Sequence, residues 1–173
     1  LESQLKSIKD IRSAACFTID IDKFYTVTDY YGIDISKKIL KSIADELNLF
    51  ITSDDILANK KDDQFIIILI NPSKVIIERT KEILEKLIIK TYIIDEVSIQ
   101  VKKNIGYALY KDDASNFNDL INYAGLAAVH KADTEYNQVT RYQRSMKANL
   151  EKNIILTNRL LDAINEKKID VHM

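Results

Sequence analysis

In Lys60-Lys61-Asp62-Asp63-Gln64-Phe65-Ile66-Ile67-Ile68-Leu69-Ile70, a charged hexapeptide, KKDDQF, feeds straight into an uninterrupted aliphatic run. A run of that length bounded by polar residues reads as a strand, and its lack of alternation places it inside a sheet, covered on both faces. Upstream, Ile56 to Ala58 supplies a second short strand. KKDDQF then becomes the turn of a β-hairpin, its charges solvated at the tip.

Toward the N-terminus, Ala15 to Ile19 is another extended apolar segment, ending in Asp20-Ile21-Asp22. Leu1, Leu5, Ile8 and Ile11 mark an amphipathic helix before it. Between that strand and the hairpin, Ile35, Ile39, Ile43 and Leu47 recur at four-residue spacing and define one helix, with Asp34 or Ser36 placed to cap it. After the hairpin, Asn71-Pro72 sets a capping side chain before a proline at the first helical position, and Ile76, Thr80, Ile83, Leu84 and Leu87 form the buried stripe of the helix.

Val97, Ile99 and Val101 alternate with polar residues, and Ile105 to Tyr110 is a further extended piece, which together predict a second hairpin. A helix from about Asn116 carries Phe117, Leu120, Ile121, Ala124, Ala127 and Ala128, small enough in part to press closely on a sheet. Val139 to Tyr142 predicts a short edge strand. Met146, Leu150, Ile154, Leu161 and Ile164 then trace one face of a long helix over 144–168, and 169–173 reads as the start of another strand.

The 173 residues suit one domain with a proper core and an appendage. Twenty-five basic against 26 acidic residues leave a net charge of -1, too little field to draw in nucleic acid or an acidic membrane surface. Nine tyrosines without interleaved basic residues make no stacking platform for single strands. No apolar segment approaches the roughly 20 residues of a membrane helix. Cys16, the single cysteine, sits in an apolar run and reads as a small buried hydrophobe, which fits a reducing, cytoplasmic setting. Three scattered glycines exclude a glycine-rich phosphate cradle, and two histidines with one cysteine exclude a conventional zinc site or histidine triad.

What chemistry remains lies with carboxylates. Asp20 and Asp22 end the first strand while Asp62 and Asp63 lie in the hairpin turn. If those strands are neighbours, the acids share one sheet edge and suit a hard divalent cation such as Mg²⁺. Turn aspartates are more often solvated or bonded to backbone than metal-ligating, so spacing alone leaves both readings open.

The order of these segments resembles the GGDEF, or diguanylate cyclase, domain of bacterial signalling proteins over about Leu1 to Tyr142. Phe17-Thr18-Ile19-Asp20-Ile21-Asp22-Lys23-Phe24 is similar to that family's DxDxFK strand end, and Asp29 and Gly32 stand in place of its NDxxGH. KKDDQF falls where the signature hairpin belongs, with Phe65 as the closing aromatic. Asn104-Ile105-Gly106 resembles the later SIG strand, and Ala124 to Ala128 the ADxALY helix. The fold so implied is α/β of the α+β kind: a central, mainly antiparallel sheet flanked by helices, in the nucleotidyl-cyclase or polymerase-palm (ferredoxin-like) arrangement.

The family joins two GTP into cyclic di-GMP with Mg²⁺, using two domain copies. By resemblance, Asp20 and Asp63 match its metal-binding acids and Ile21 the residue offering a backbone carbonyl. The nucleotide positions depart from the pattern. Thr28 and Lys37 stand where an asparagine and an aspartate read guanine, and Tyr25 where a lysine meets phosphate. Ala132 and Tyr136 occupy a lysine and an arginine position of the triphosphate site. Lys61 and Asp62 replace the signature glycines and Gln64 the fourth-position acid. Asp55 matches the aspartate of an inhibitory product site whose arginine is here Thr52.

The resemblance therefore implies a catalytically degenerate domain, with Mg²⁺ at low occupancy and weak GTP or cyclic di-GMP binding. It would act as a regulatory, nucleotide-sensing or dimerisation module for an adjoining EAL phosphodiesterase domain. Val171-His172-Met173 resembles the opening of such a domain, giving expected boundaries of 1–143, 144–168 for a linker helix, and 169–173. The alternative is a residual cyclase using Asp20 and Asp63.

Overall fold

The strand β1 (Ala14–Ile21) lies at the middle of the sheet, buried almost throughout. The computed structural model describes residues 10–61, 63–131 and 138–165. The helix expected from Leu1, Leu5 and Ile8, together with Asp62, Ala132, Tyr136 and Val171-His172-Met173, lies outside them. Compact units span Leu1–Tyr142 and Gln143–Met173.

In the first unit the elements run β1, α1 (Phe24–Tyr31), α2 (Ile33–Asn48), β2 (Ile56–Lys61), β3 (Gln64–Ile70), α3 (Lys74–Lys86), β4 (Ile89–Ile94), β5 (Val97–Leu109), α4 (Phe117–Lys131) and β6 (Thr140–Arg141). The sheet order is β2-β3-β1-β5-β4, all antiparallel, with β6 added parallel to β5. This is the expected mixed fold, and the isoleucine-rich β3 is an interior strand between β2 and β1, buried from Phe65 to Leu69.

Alternation sorts β1 into two faces. Phe17, Ile19 and Ile21 join Phe65, Ile67 and Leu69 of β3, Val101, Ile105 and Tyr107 of β5, and Ile39, Ile43 and Leu47 of α2 in one core. Phe17 and Tyr107 stack there at 5.3 Å. Across the other face lies α4. Its approach at Gly106 is so close that a Cβ on that residue would lie 2.1 Å from the Ala128 nitrogen. Burial pushes the Cys16 thiol up to about 12, so it behaves as the packing group its sequence context implied.

Several local expectations are corrected. The first hairpin is longer than its apolar residues suggested: Lys60 and Lys61 belong to β2 and Gln64 to β3. Val97 to Leu109 is one strand, not two, because Lys103 continues it as a buried residue, donating from its ammonium to the Leu87 carbonyl at 2.8 Å. The true partner of its first half is β4, joined through Asp95 and Glu96, both at positive φ. Helix α1 was not anticipated. Its aromatic and β-branched composition, FYTVTDYY, has weak helix propensity, and burial of Phe24 holds it.

The caps also differ. Gly32, not Asp34 or Ser36, caps α2, and the Ser36 hydroxyl donates back to the Gly32 carbonyl. Ser73 caps α3 by accepting from the Ile76 N–H. Asn71 instead locks the segment leading into β1: its side-chain oxygen accepts from the N–H groups of Arg12 and Ser13 at 2.7 and 3.0 Å, and its amide donates to the Asp10 carbonyl at 3.2 Å. Tyr30 is exposed rather than packed beside Gly32, and meets Tyr31 edge-on.

The second unit contains α5 (Arg144–Asn165), the long helix expected from Met146, Leu150, Ile154, Leu161 and Ile164.

Candidate functional site

The end of β1 meets the hairpin tip through the backbone. The Ile21 N–H donates to the Asp63 carbonyl at 2.9 Å, while the Asp22 N–H donates to the Lys102 carbonyl at 2.9 Å on the β5 side. Directly after this clamp Lys23 turns the chain at φ 50 and ψ 38, a left-handed conformation that costs a side-chain-bearing residue about 1 kcal/mol, and α1 begins. The sharp turn brings α1 over the strand end.

Register fixes which side chains share that edge. Lys61 pairs with Gln64, Gln64 with Asp20, and Asp20 with Asn104, so the four form one cross-strand row on one face. Lys61 holds this place only because β2 is bulged, with its register shifting by one residue between Asn59 and Lys61. Bulges re-aim side chains in this way.

Asp20 is half-buried in that row. Burial first, then repulsion from Asp63 and Asp22, pushes its carboxyl up to about 6, while Lys61 pulls it back down. Asp22 has an ion-pair partner in Lys102 at 3.9 Å. Among the described residues, no group of three His, Cys, Asp or Glu side chains converges as a metal cluster. The cation ligands suggested by resemblance are thus two carboxylates and the Ile21 carbonyl, hard oxygens of the type Mg²⁺ accepts alongside water or phosphate.

Beside this row opens a cleft of about 540 Å³ lined by Phe24, Tyr25, Thr28 and Asp29 of α1 and by Lys61 and Asp63 of the hairpin. Four of the positions singled out in the sequence, Tyr25, Thr28, Lys61 and Asp63, therefore come together. Lys37 does not line the cleft; it is exposed on α2. Asp29 and Phe24 do line it, although the sequence reading named them only as motif elements. Their signal was the helical spacing of Phe24, Tyr25, Thr28 and Asp29, invisible while α1 itself went unrecognised.

Asp55 is held elsewhere, by three inward bonds. One carboxylate oxygen accepts from the Thr52 N–H at 2.9 Å and the Thr52 hydroxyl at 2.8 Å, and the other from the Ile70 N–H at 3.0 Å. It ties the start of β2 to the end of β3.

Comparison with known proteins agrees with this architecture. The family model described as "Diguanylate cyclase, GGDEF domain" matches residues 1–138. The bifunctional diguanylate cyclase/cyclic di-GMP phosphodiesterase MucR of Pseudomonas aeruginosa is 26% identical over 167 residues, covering 96% of this chain and 24% of MucR. The cyclic di-GMP phosphodiesterase NbdA of the same organism is 18% identical over 165 residues, 93% of this chain and 21% of NbdA. The chain thus spans about a quarter or less of the length of these curated relatives. An EAL/GGDEF domain protein from M. capsulatus superposes with a TM-score of 0.73 at 17% identity, over 82% of this chain and 92% of that one. With its helix-flanked antiparallel sheet and its hairpin set against the end of β1, the chain belongs to the GGDEF, diguanylate cyclase, family.

Proposed function

We propose that this is a catalytically degenerate GGDEF domain that regulates, by nucleotide sensing or dimerisation, a cyclic di-GMP phosphodiesterase (EAL) domain on the same polypeptide in the bacterial cytoplasm. The observation that carries the reading is the hairpin wall of the cleft. Lys61, at a position where the family's signature has glycine, projects a long cationic side chain into the volume a nucleotide would need. Lys37, at a position that should read guanine, stands outside the cleft and carries the wrong charge for that task.

Two pieces of the apparatus suit a divalent cation. Asp20 and Asp63 repel one another strongly enough to raise the Asp20 carboxyl, and a cation between them would relieve that repulsion. When bound, Mg²⁺ would neutralise phosphate charge. Lys61 competes for the same carboxylates, which favours low occupancy. The proposed division is 1–143 for the domain, 144–168 for a linker helix and 169–173 for the opening of the EAL domain, supported by MucR and the M. capsulatus EAL/GGDEF protein among the relatives.

The test is incubation of the purified chain with GTP and Mg²⁺, with cyclic di-GMP measured as product; none is expected. The second reading, a residual diguanylate cyclase, is favoured by the Asp20 and Asp63 juxtaposition alone. Product formation abolished by Asp63→Ala would establish it in place of the first.

A further inference from the structure

The nucleotide-sensing reading just given leaves open what this altered cleft would recognise. Its two walls carry opposite charges that do not pair with each other. Among the described residues, Asp29 makes no hydrogen bond or ion pair, and neither Lys61 nor Asp63 has a side-chain hydrogen bond or salt bridge, although all three line the same cleft. Elsewhere on the surface, lysines near acids find partners, as Lys38 does with Asp95 and Lys41 with Asp45. An anion on one wall and a cation on the other, kept apart, match a ligand with a donor edge at one end and negative charge at the other.

The α1 wall is ordered by helical spacing. Tyr25 and Asp29 are four residues apart and Thr28 lies beside them, so a phenol ring, a hydroxyl and a carboxylate share one helix face. Tyr25 is 64% exposed, a ring left open for stacking. A carboxylate accepts and never donates, so it pairs well with two adjacent N–H groups. Guanine alone among the common bases offers that pair, N1–H beside N2–H₂. Adenine and cytosine each place a ring acceptor next to their amino group and would repel it. On the opposite wall, the bulge that brings Lys61 opposite Gln64 also puts an ammonium beside the carboxylate row. That ammonium suits phosphate as a point charge.

We infer that the cleft holds a guanine nucleotide by a displaced set of contacts, with Asp29 reading the base edge over the Tyr25 ring and Lys61 meeting the phosphates. Asp29 is then the specificity-determining residue, and Lys61 sets affinity without choosing the base.

Calorimetric titration of the full chain in Mg²⁺ with GTP, with inosine triphosphate (which lacks the 2-amino group) and with ATP tests this, using wild type, Asp29→Asn and Lys61→Gln. The wild type should bind GTP about tenfold or more tighter than either competitor, because an unmet donor or acceptor in such a site is penalised heavily. Asp29→Asn should collapse that ratio toward one. Lys61→Gln should weaken all three ligands by a similar factor while keeping their order. Wild-type GTP binding with an unchanged base ratio in Asp29→Asn overturns this assignment and leaves nucleotide sensing standing. Wild type that binds no GTP overturns both. Asp29 and Lys61 are exposed, and unchanged melting of the variants would separate loss of contact from loss of fold.

Discussion

Ile21 and Asp63 are joined through the main chain: the Ile21 N–H donates to the Asp63 carbonyl at 2.9 Å, so the end of β1 and the tip of the β2–β3 hairpin keep their separation whatever side chains they carry. The two acids on either side of this bond, Asp20 and Asp63, are thereby held within electrostatic reach of each other.

That confinement sets a pH dependence. The Asp20 carboxyl is raised to about 6, above an ordinary carboxylate, by burial and by Asp63 and Asp22. The folded state therefore holds a proton the unfolded chain has released between about pH 4 and 6. Its stabilising contribution is complete below the unfolded value and is lost as pH rises through 6. Mg²⁺ binding should run the opposite way, weakening as pH falls below 6. Carbon-detected titration of the Asp20 carboxyl checks the value, and Asp63→Asn should shift it downward.

Lys103 offers the reverse case. It is 2% exposed, its ammonium bonded to the Leu87 carbonyl and 5.0 Å from the Tyr92 ring centre, beside the Lys90–Glu46 pair. Burial lowers it to about 8, with Glu46 opposing and Lys90 assisting that shift. Between pH 8 and the ordinary lysine value, the unfolded chain binds the additional proton, so stability should climb with pH across that window. Lys103→Met should abolish the slope and raise stability at pH 7 by about 1 kcal/mol, read from urea melts at several pH values.

Gly106 tests the packing of α4. A methyl there would lie 2.1 Å from the Ala128 nitrogen and 2.5 Å from the Ala124 carbonyl oxygen, both backbone atoms that cannot swing aside. Gly106→Ala should cost about 3 kcal/mol in chemical denaturation. A loss below a few tenths would mean that α4 sits farther from the sheet.

Asp55 distinguishes a structural from a ligand-binding role. Asp55→Ala leaves the Thr52 and Ile70 N–H groups without their acceptor and should destabilise the chain by about 1–3 kcal/mol. Any affinity for cyclic di-GMP measured on the folded variant should stay as in wild type, since the three bonds already use both carboxylate oxygens.

Legibility in the sequence followed the strength of the apolar pattern. The unbroken run of β3 and the four-residue spacing of α2 announced themselves because burial alone dictates them. β5 was split in two because Lys102-Lys103-Asn104 looks like a turn, and only a tertiary partner, the Leu87 carbonyl, makes the middle lysine tolerable inside. α1 was missed because one buried phenylalanine and a left-handed Lys23 outweigh its poor propensity. For the site, chain order gave the β1 end and the hairpin tip. The register shift that places Lys61 opposite Gln64, and the outward position of Lys37, are three-dimensional facts with no local signature.

Asn71 gives the domain a load path. Its side chain grips residues 10–13 at one end of β3, and the other end of that strand is the hairpin tip at Asp63. Tension applied through the segment ahead of β1 falls first on the Asn71 amide, then runs along a strand about 20 Å long, stiffened by hydrogen bonds on both edges, to the acid facing Asp20. Mechanically, the incoming chain and the carboxylate pair are the two ends of one rod.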